Sequence, residues 1–127
     1  MSPQITTQSP SELATTLKTQ ARLSSTPVYL VVYASLVDGR SWCGDCREAE
    51  KFVDAKFGAR EGREEEDWVR VVFAGDRDEW RKADNPYRQA PFNVVALPTI
   101  IKVTGEKWEQ LVEGDVYDQA KLDAFVV

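Results

Sequence analysis

No histidine occurs anywhere in the 127 residues. That one absence removes Ser-His-Asp and Cys-His catalysis, imidazole acid–base chemistry and histidine-ligated metals. Cysteine is almost as scarce, with two residues, too few for a disulfide-built scaffold. Positive charge is in deficit: 16 Lys and Arg face 21 Asp and Glu, a net charge of −5. A phosphate backbone would be repelled, so nucleic acid is not an expected partner. Long apolar runs are missing too. The longest, Val28 to Ala34, is far short of the roughly 20 residues that cross a bilayer as a helix, so no membrane partner is expected. The start of the chain, Met1 to Gln8, has neither the basic nor the apolar region of a secretory signal. The expected compartment is therefore the reducing cytosol, where two cysteines close in sequence are more often catalytic than structural.

What the chain does have is an ordinary globular composition, 43% hydrophobic and 29% charged, which separates it from disordered sequences. Its length suits a single domain over residues 1–127, with 1–8 expected as a loosely ordered lead-in. Ser9-Pro10-Ser11-Glu12 reads as a helix start, with Ser9 as N-cap and Glu12 completing a capping box. Leu13, Leu17 and Ala21 then give an apolar stripe. Val28 to Ser35 lacks polar alternation and reads as a strand buried on both faces. A loop at 36–41 with an Asp38-Gly39 turn leads to a helix from about Gly44 to Phe57, with Gly58 as its C-cap. Residues 59–67 are nearly all charged and read as a solvated loop. Trp68 to Ala74 is a second buried strand, and Asn85-Pro86 starts a short helix stopped by Pro91. Thr99 to Val103 and Trp108 to Val112 form a hairpin, and Asp115 or Asp118 caps a last helix containing Ala120, Leu122, Phe125 and Val126. The strand–helix–strand unit implies parallel pairing with a right-handed crossover, and the hairpin an antiparallel pair. The predicted fold class is α/β: a mixed sheet of four to five strands with helices on both faces.

Cys43-Gly44-Asp45-Cys46 lies where the loop after a buried strand feeds a helix. In disulfide exchange the thiolate attacks. A cysteine ahead of the first helical turn meets unpaired N–H groups and the positive end of the macrodipole, both of which favour the anion. Cys43 is thus the candidate nucleophile. Cys46, one turn on, is the shielded partner that resolves a mixed disulfide. Asp45 cuts both ways, since its carboxylate opposes a neighbouring thiolate yet suits a helix N-terminus, and Gly44 loosens the turn. Three other readings stand beside this one. They are a zinc half-site needing carboxylates or a second chain, a permanent short-loop disulfide, and an idle pair on a redox-inactive binding module that recruits partners through loop 36–41 or the acidic stretch 59–67. Of these, a metal site is not expected. Trp42 either presents a substrate surface or packs its loop down, whereas Trp68, Trp80 and Trp108 read as packing residues. Leu97-Pro98-Thr99 opens the third strand with proline in a tolerated first position.

Four stretches together resemble the thioredoxin-related Clot family: Ser41-Trp42-Cys43-Gly44-Asp45-Cys46, the long loop Leu36 to Arg40 before it, Trp80 through Asp84-Asn85-Pro86-Tyr87-Arg88, and Val95-Ala96-Leu97-Pro98-Thr99 with Leu111-Val112-Glu113. They cover about residues 28 to 113. The resemblance implies a thioredoxin-like fold and a cytosolic disulfide reductase acting as a monomer on small or peptide disulfides. It further implies no bound cofactor, with electrons arriving from NADPH through thioredoxin reductase. By the same resemblance Cys43 is the nucleophile, Cys46 the resolving thiol and Pro98 a cis-proline facing them. The Leu97 backbone is implied to bind substrate there, beside Trp42. Gly44 stands where the family typically has proline. A change at this turn is expected to move the reduction potential, for which 30 mV corresponds to about 1.4 kcal/mol.

Overall fold

A computed structural model describes residues 3–60 and 67–127. Strand β1 (Gln4–Ile5) is followed by α1 (Pro10–Leu23), β2 (Val28–Tyr33), a small hairpin of β3 (Leu36–Val37) and β4 (Arg40–Ser41), and α2 (Gly44–Gly58). Then come β5 (Trp68–Phe73), α3 (Arg77–Arg81), a 3₁₀ turn (Pro86–Arg88), β6 (Thr99–Thr104), β7 (Lys107–Val112), a second 3₁₀ turn (Glu113–Tyr117) and α4 (Gln119–Phe125). The main sheet runs β1-β5-β2-β6-β7. Strands β1, β5 and β2 are parallel, and β6 and β7 are antiparallel to their neighbours. This is the mixed sheet that the pattern of buried runs and one hairpin predicts.

Every residue of β2 is buried, so both faces of the sheet are covered there. Tyr29 packs edge-on against Phe57 of α2, and its cross-strand neighbour Lys102 reaches the Phe125 carbonyl and ring of α4. Helices α2 and α4 therefore share one face, tied further by Lys56–Asp123 at 3.0 Å. Helix α1, through buried Leu13, Ala14, Leu17 and Ala21, covers the other.

Several expectations need correction. The lead-in is not loose throughout: Gln4 and Ile5 pair with Arg70 and Val71, extending the sheet by an edge strand. Ser9 caps α1, but Glu12 accepts the Ser9 hydroxyl at 2.9 Å and no reciprocal box forms. The expected loop 36–41 is a hairpin. Asp38 and Gly39 both take positive φ (53° and 80°), the turn geometry that matches strand twist. Helix α2 is closed by Ala59, in right-handed helical geometry, rather than by a glycine C-cap. Helix α3, capped reciprocally by Asp76 and Glu79, falls in a run too densely charged to show an apolar period. Asp118, not Asp115, caps α4, and Val126 is its C-cap rather than part of it. Residues 61–66 of the charged stretch lie outside the described residues. At its ends, however, Asp67 is 5% exposed and takes a two-pronged bond from Arg60 (2.8 and 2.9 Å), so this carboxylate is not solvated. Arg60 also donates to the Val127 carbonyl at 2.7 Å, fastening the C-terminal residue to the end of α2.

Removing one partner of a buried pair strands the other charge. Asp67→Ala should lower unfolding stability by about 3 kcal/mol. An unchanged urea midpoint would show that the pair contributes nothing.

Candidate functional site

The site is built at the C-terminal end of β2. From Ala34 the chain leaves through the hairpin and returns at Ser41, whose hydroxyl donates to the Ala34 carbonyl at 3.0 Å, while the Trp42 N–H donates to Ser35 O at 3.3 Å. The excursion is thus stitched shut at its base, and Cys43 is delivered to the N-terminus of α2. Cys43 is the N-cap residue (φ −94°, ψ 119°), and its sulfur, in place of the usual side-chain oxygen, accepts the Cys46 N–H at 3.4 Å. Its own N–H donates to the Ser41 hydroxyl oxygen at 3.4 Å.

The two thiols differ sharply in surroundings. Cys43 is partly exposed; Cys46 is 1% exposed. The Cys46 sulfur accepts the Ala34 N–H at 3.4 Å. Burial pushes this thiol up to about 12, against lowering by the Ala34 N–H and the Ser41 hydroxyl; the neighbouring Cys43 sulfur pushes it further up. Ser41, itself buried, therefore touches both ends of the pair. Sequence reasoning had placed it only in the motif. The signal was available: a serine two residues before the first cysteine, at the closing end of an Asp-Gly hairpin.

On the opposite side, the Cys43 thiol points at the Leu97 carbonyl, 3.7 Å away, and the Leu97–Pro98 peptide is cis. The Ala90–Pro91 peptide is also cis, which no sequence signal had singled out. Leu97 and Pro98 are both buried. Pro98 is held in turn by Glu113, whose N–H donates to the Pro98 carbonyl at 2.7 Å with φ at +56°.

Trp42 is half-buried. Its indole N–H donates to Gly75 O at 2.9 Å and its ring faces Arg77 at 5.1 Å, so it packs the loop down and leaves part of its surface free. Gly75 is another residue the sequence did not single out. At φ +122°, and with Glu79 Cβ 2.7 Å from where a side chain would start, only glycine fits there. Asp45 accepts the Tyr117 hydroxyl at 2.9 Å. The open question of its direction is thus decided by a residue 72 positions away. Gly44 is exposed at the first helical position. Among the described residues no group of three or more Cys, Asp or Glu could hold a metal ion.

Residues 6–126 match the family model described as thioredoxin domain-containing protein 17-like, thioredoxin domain. The chain is 30% identical over 90 residues to the thioredoxin-like protein Clot of Oryza sativa subsp. japonica, covering 68% of this chain and 65% of that one. It is 37% identical over 68 residues to thioredoxin domain-containing protein 17 of Mus musculus, covering 51% and 50%. These matches span less than two thirds of either relative's own length. Among solved structures, thioredoxin NaTrxh from Nicotiana alata superposes with a TM-score of 0.63 at 19% identity, over 99% of this chain and 93% of that one. Oxidised thioredoxin O1 from Arabidopsis thaliana gives 0.60 at 18%, over 99% and 98%. At such identities the likeness establishes the thioredoxin fold and nothing finer.

Two outcomes follow. Cys43 has the extended ψ that a following proline requires, and the first helical turn favours proline. Gly44→Pro should therefore stabilise the fold by about 0.5–1 kcal/mol, read as a raised denaturant midpoint; a fall would mean the turn needs glycine. Iodoacetamide at neutral pH should label Cys43 and spare Cys46, and equal labelling of the two by peptide mass spectrometry would contradict the burial described.

Proposed function

Because this chain belongs to the thioredoxin domain-containing protein 17-like family, we propose that it is a thiol–disulfide oxidoreductase reducing small or exposed disulfides, with Cys43 as nucleophile and Cys46 as resolving thiol. The observation that carries this reading is the asymmetry of the pair. One sulfur sits at a helix N-terminus within reach of solvent, and its mate lies one turn deeper, buried and hydrogen-bonded.

The chemistry runs in two exchanges. The Cys43 thiolate attacks one sulfur of the substrate disulfide, and the other sulfur leaves as a thiolate. Cys46 then attacks Cys43 in the mixed disulfide, and the second substrate thiolate departs. Two electrons pass from the dithiol to the substrate. The Cys46 N–H and the dipole of α2 favour Cys43 as the attacking thiolate. The Leu97 carbonyl, whose partner in the structure is the Cys43 thiol, supports binding of an extended substrate backbone beside that sulfur, with the half-buried Trp42 ring nearby. Restoring the dithiol takes two electrons. NADPH through thioredoxin reductase is the proposed source, with no cofactor bound to the chain itself, which would act as a cytoplasmic monomer.

Exposed Leu36 (53%) and Val37 (50%) on the hairpin favour a second reading, a binding module that docks partners through this tip. Cystine reduction assayed with thioredoxin reductase and NADPH separates the two. The parent chain should turn over cystine and Cys43→Ser should fall to background, whereas a parent rate no higher than background would leave the binding module as the better account.

A further inference from the structure

A cavity of about 480 Å³ is lined by Ser41, Cys46 and Glu50, but not by Trp42 or Cys43. A disulfide that meets Cys43 is therefore recognised on the open surface around that thiol, and the charges there bear on which disulfides approach. The chain carries a net −5, which repels anionic molecules. Beside Cys43, however, a cation stands on an aromatic ring. The Arg77 guanidinium lies over Trp42, 5.1 Å from the ring centroid, and Trp42 is the residue before the nucleophile.

Arg77 differs from the other charges nearby. It is exposed, and its side chain has no ion pair or hydrogen bond among the described residues. Its neighbours are engaged. Asp76 and Glu79 each accept the other's backbone N–H (2.9 and 3.1 Å), Asp45 accepts the Tyr117 hydroxyl, and Arg47 donates to the Ser41 carbonyl at 2.7 Å. Arg88 also lies over an indole, that of Trp80, but it spends its Nε–H on the Trp80 carbonyl at 2.6 Å. Position matters too. The first turn of a helix favours acids, as Asp78 and Glu79 in α3 illustrate, so Arg77 stands against the local preference. Its platform is fixed, because the Trp42 indole N–H is held on Gly75 O at 2.9 Å. A guanidinium over an aromatic face keeps its fork of N–H donors open, and that fork matches a carboxylate with two hydrogen bonds.

We propose that Arg77 binds a carboxylate of the substrate, so that the dithiol site selects disulfides carrying a carboxylate close to the sulfur. The inference rests on the oxidoreductase reading above and narrows its substrate class. With the substrate sulfur at Cys43 and its backbone beside the Leu97 carbonyl, a carboxylate on the Trp42 side meets the guanidinium. Arg77 takes no part in making or breaking bonds. It raises the share of encounters in which an anionic disulfide reaches Cys43, against the repulsion of the chain's net charge.

The test compares two chromogenic disulfides in single turnover with the reduced chain, anionic dithionitrobenzoate and neutral dithiodipyridine. Arg77→Gln should slow the first thiolate release from dithionitrobenzoate about 3- to 5-fold at low salt, the size of one exposed ion pair. The same variant should react with dithiodipyridine at the parent rate, which also reports an intact fold. Arg77→Lys, which keeps the charge, should stay close to the parent with both probes. Salt at about 1 M should erase the difference between Arg77→Gln and the parent. Equal slowing of Arg77→Gln with both probes would mean that Arg77 only packs Trp42, and unaltered rates with both would remove it from the substrate's path. Either result overturns the inference and leaves the oxidoreductase reading standing. A parent chain that releases no thiolate from either probe would overturn the oxidoreductase reading itself.

Discussion

A sulfur atom caps helix α2, and the rest of the site is arranged around that contact. The first turn of any helix leaves N–H groups without partners. Here Cys43 supplies the acceptor, so the same geometry that starts the helix holds the reactive atom beside its positive end. An oxygen cap would satisfy the backbone equally well and could not exchange disulfides. The neighbouring interactions all fix where this cap stands. Ser41 closes the hairpin onto Ala34, Gly75 receives the Trp42 indole, and Leu97 brings a carbonyl up on the far side.

The scaffold gives the two thiols opposite environments over a single turn. The cap position lies beyond the C-terminal end of β2 and is partly exposed, while one turn further α2 has already met β2, whose burial is complete. Cys46 is therefore desolvated by the same packing that stabilises the domain, and burial favours its protonated form. The hairpin contributes more than spacing. It carries Ser41 to a point where one hydroxyl serves Ala34, Cys43 and Cys46, and it helps to wall the polar cavity behind them. A central strand, a helix tip and a short excursion between them thus bring the two thiols, Ser41 and the Leu97 carbonyl into one place.

Much of this was legible in the chain. Val28 to Tyr33 has no polar alternation, which leaves a doubly covered strand as its only stable use, and both covering layers are there. The Cys43–Cys46 spacing and the position of Pro98 marked the candidate site, and the fold brings Cys43 against the Leu97–Pro98 segment. Charged segments were less legible. Helix α3 and the Arg60–Asp67 pair both lie in runs of charge, where periodicity carries no signal and where a buried ion pair and a solvated loop have the same composition. The edge strand at Gln4–Ile5 is too short to announce itself and forms because Arg70 and Val71 offer it a free edge.

What the amino-acid sequence determined alone was local: which run must be buried, where a helix can begin, and that two thiols one turn apart share its first turn. What only the tertiary structure decided was each side chain's partner across the fold. It set the direction of Asp45, held by Tyr117, the bridging position of Ser41, and the cavity that Glu50 shares with Cys46. The reason is physical. Periodicity records the solvent exposure of a segment against its own axis, whereas a hydrogen bond between residues 72 positions apart depends on how separate elements pack, which no local pattern encodes.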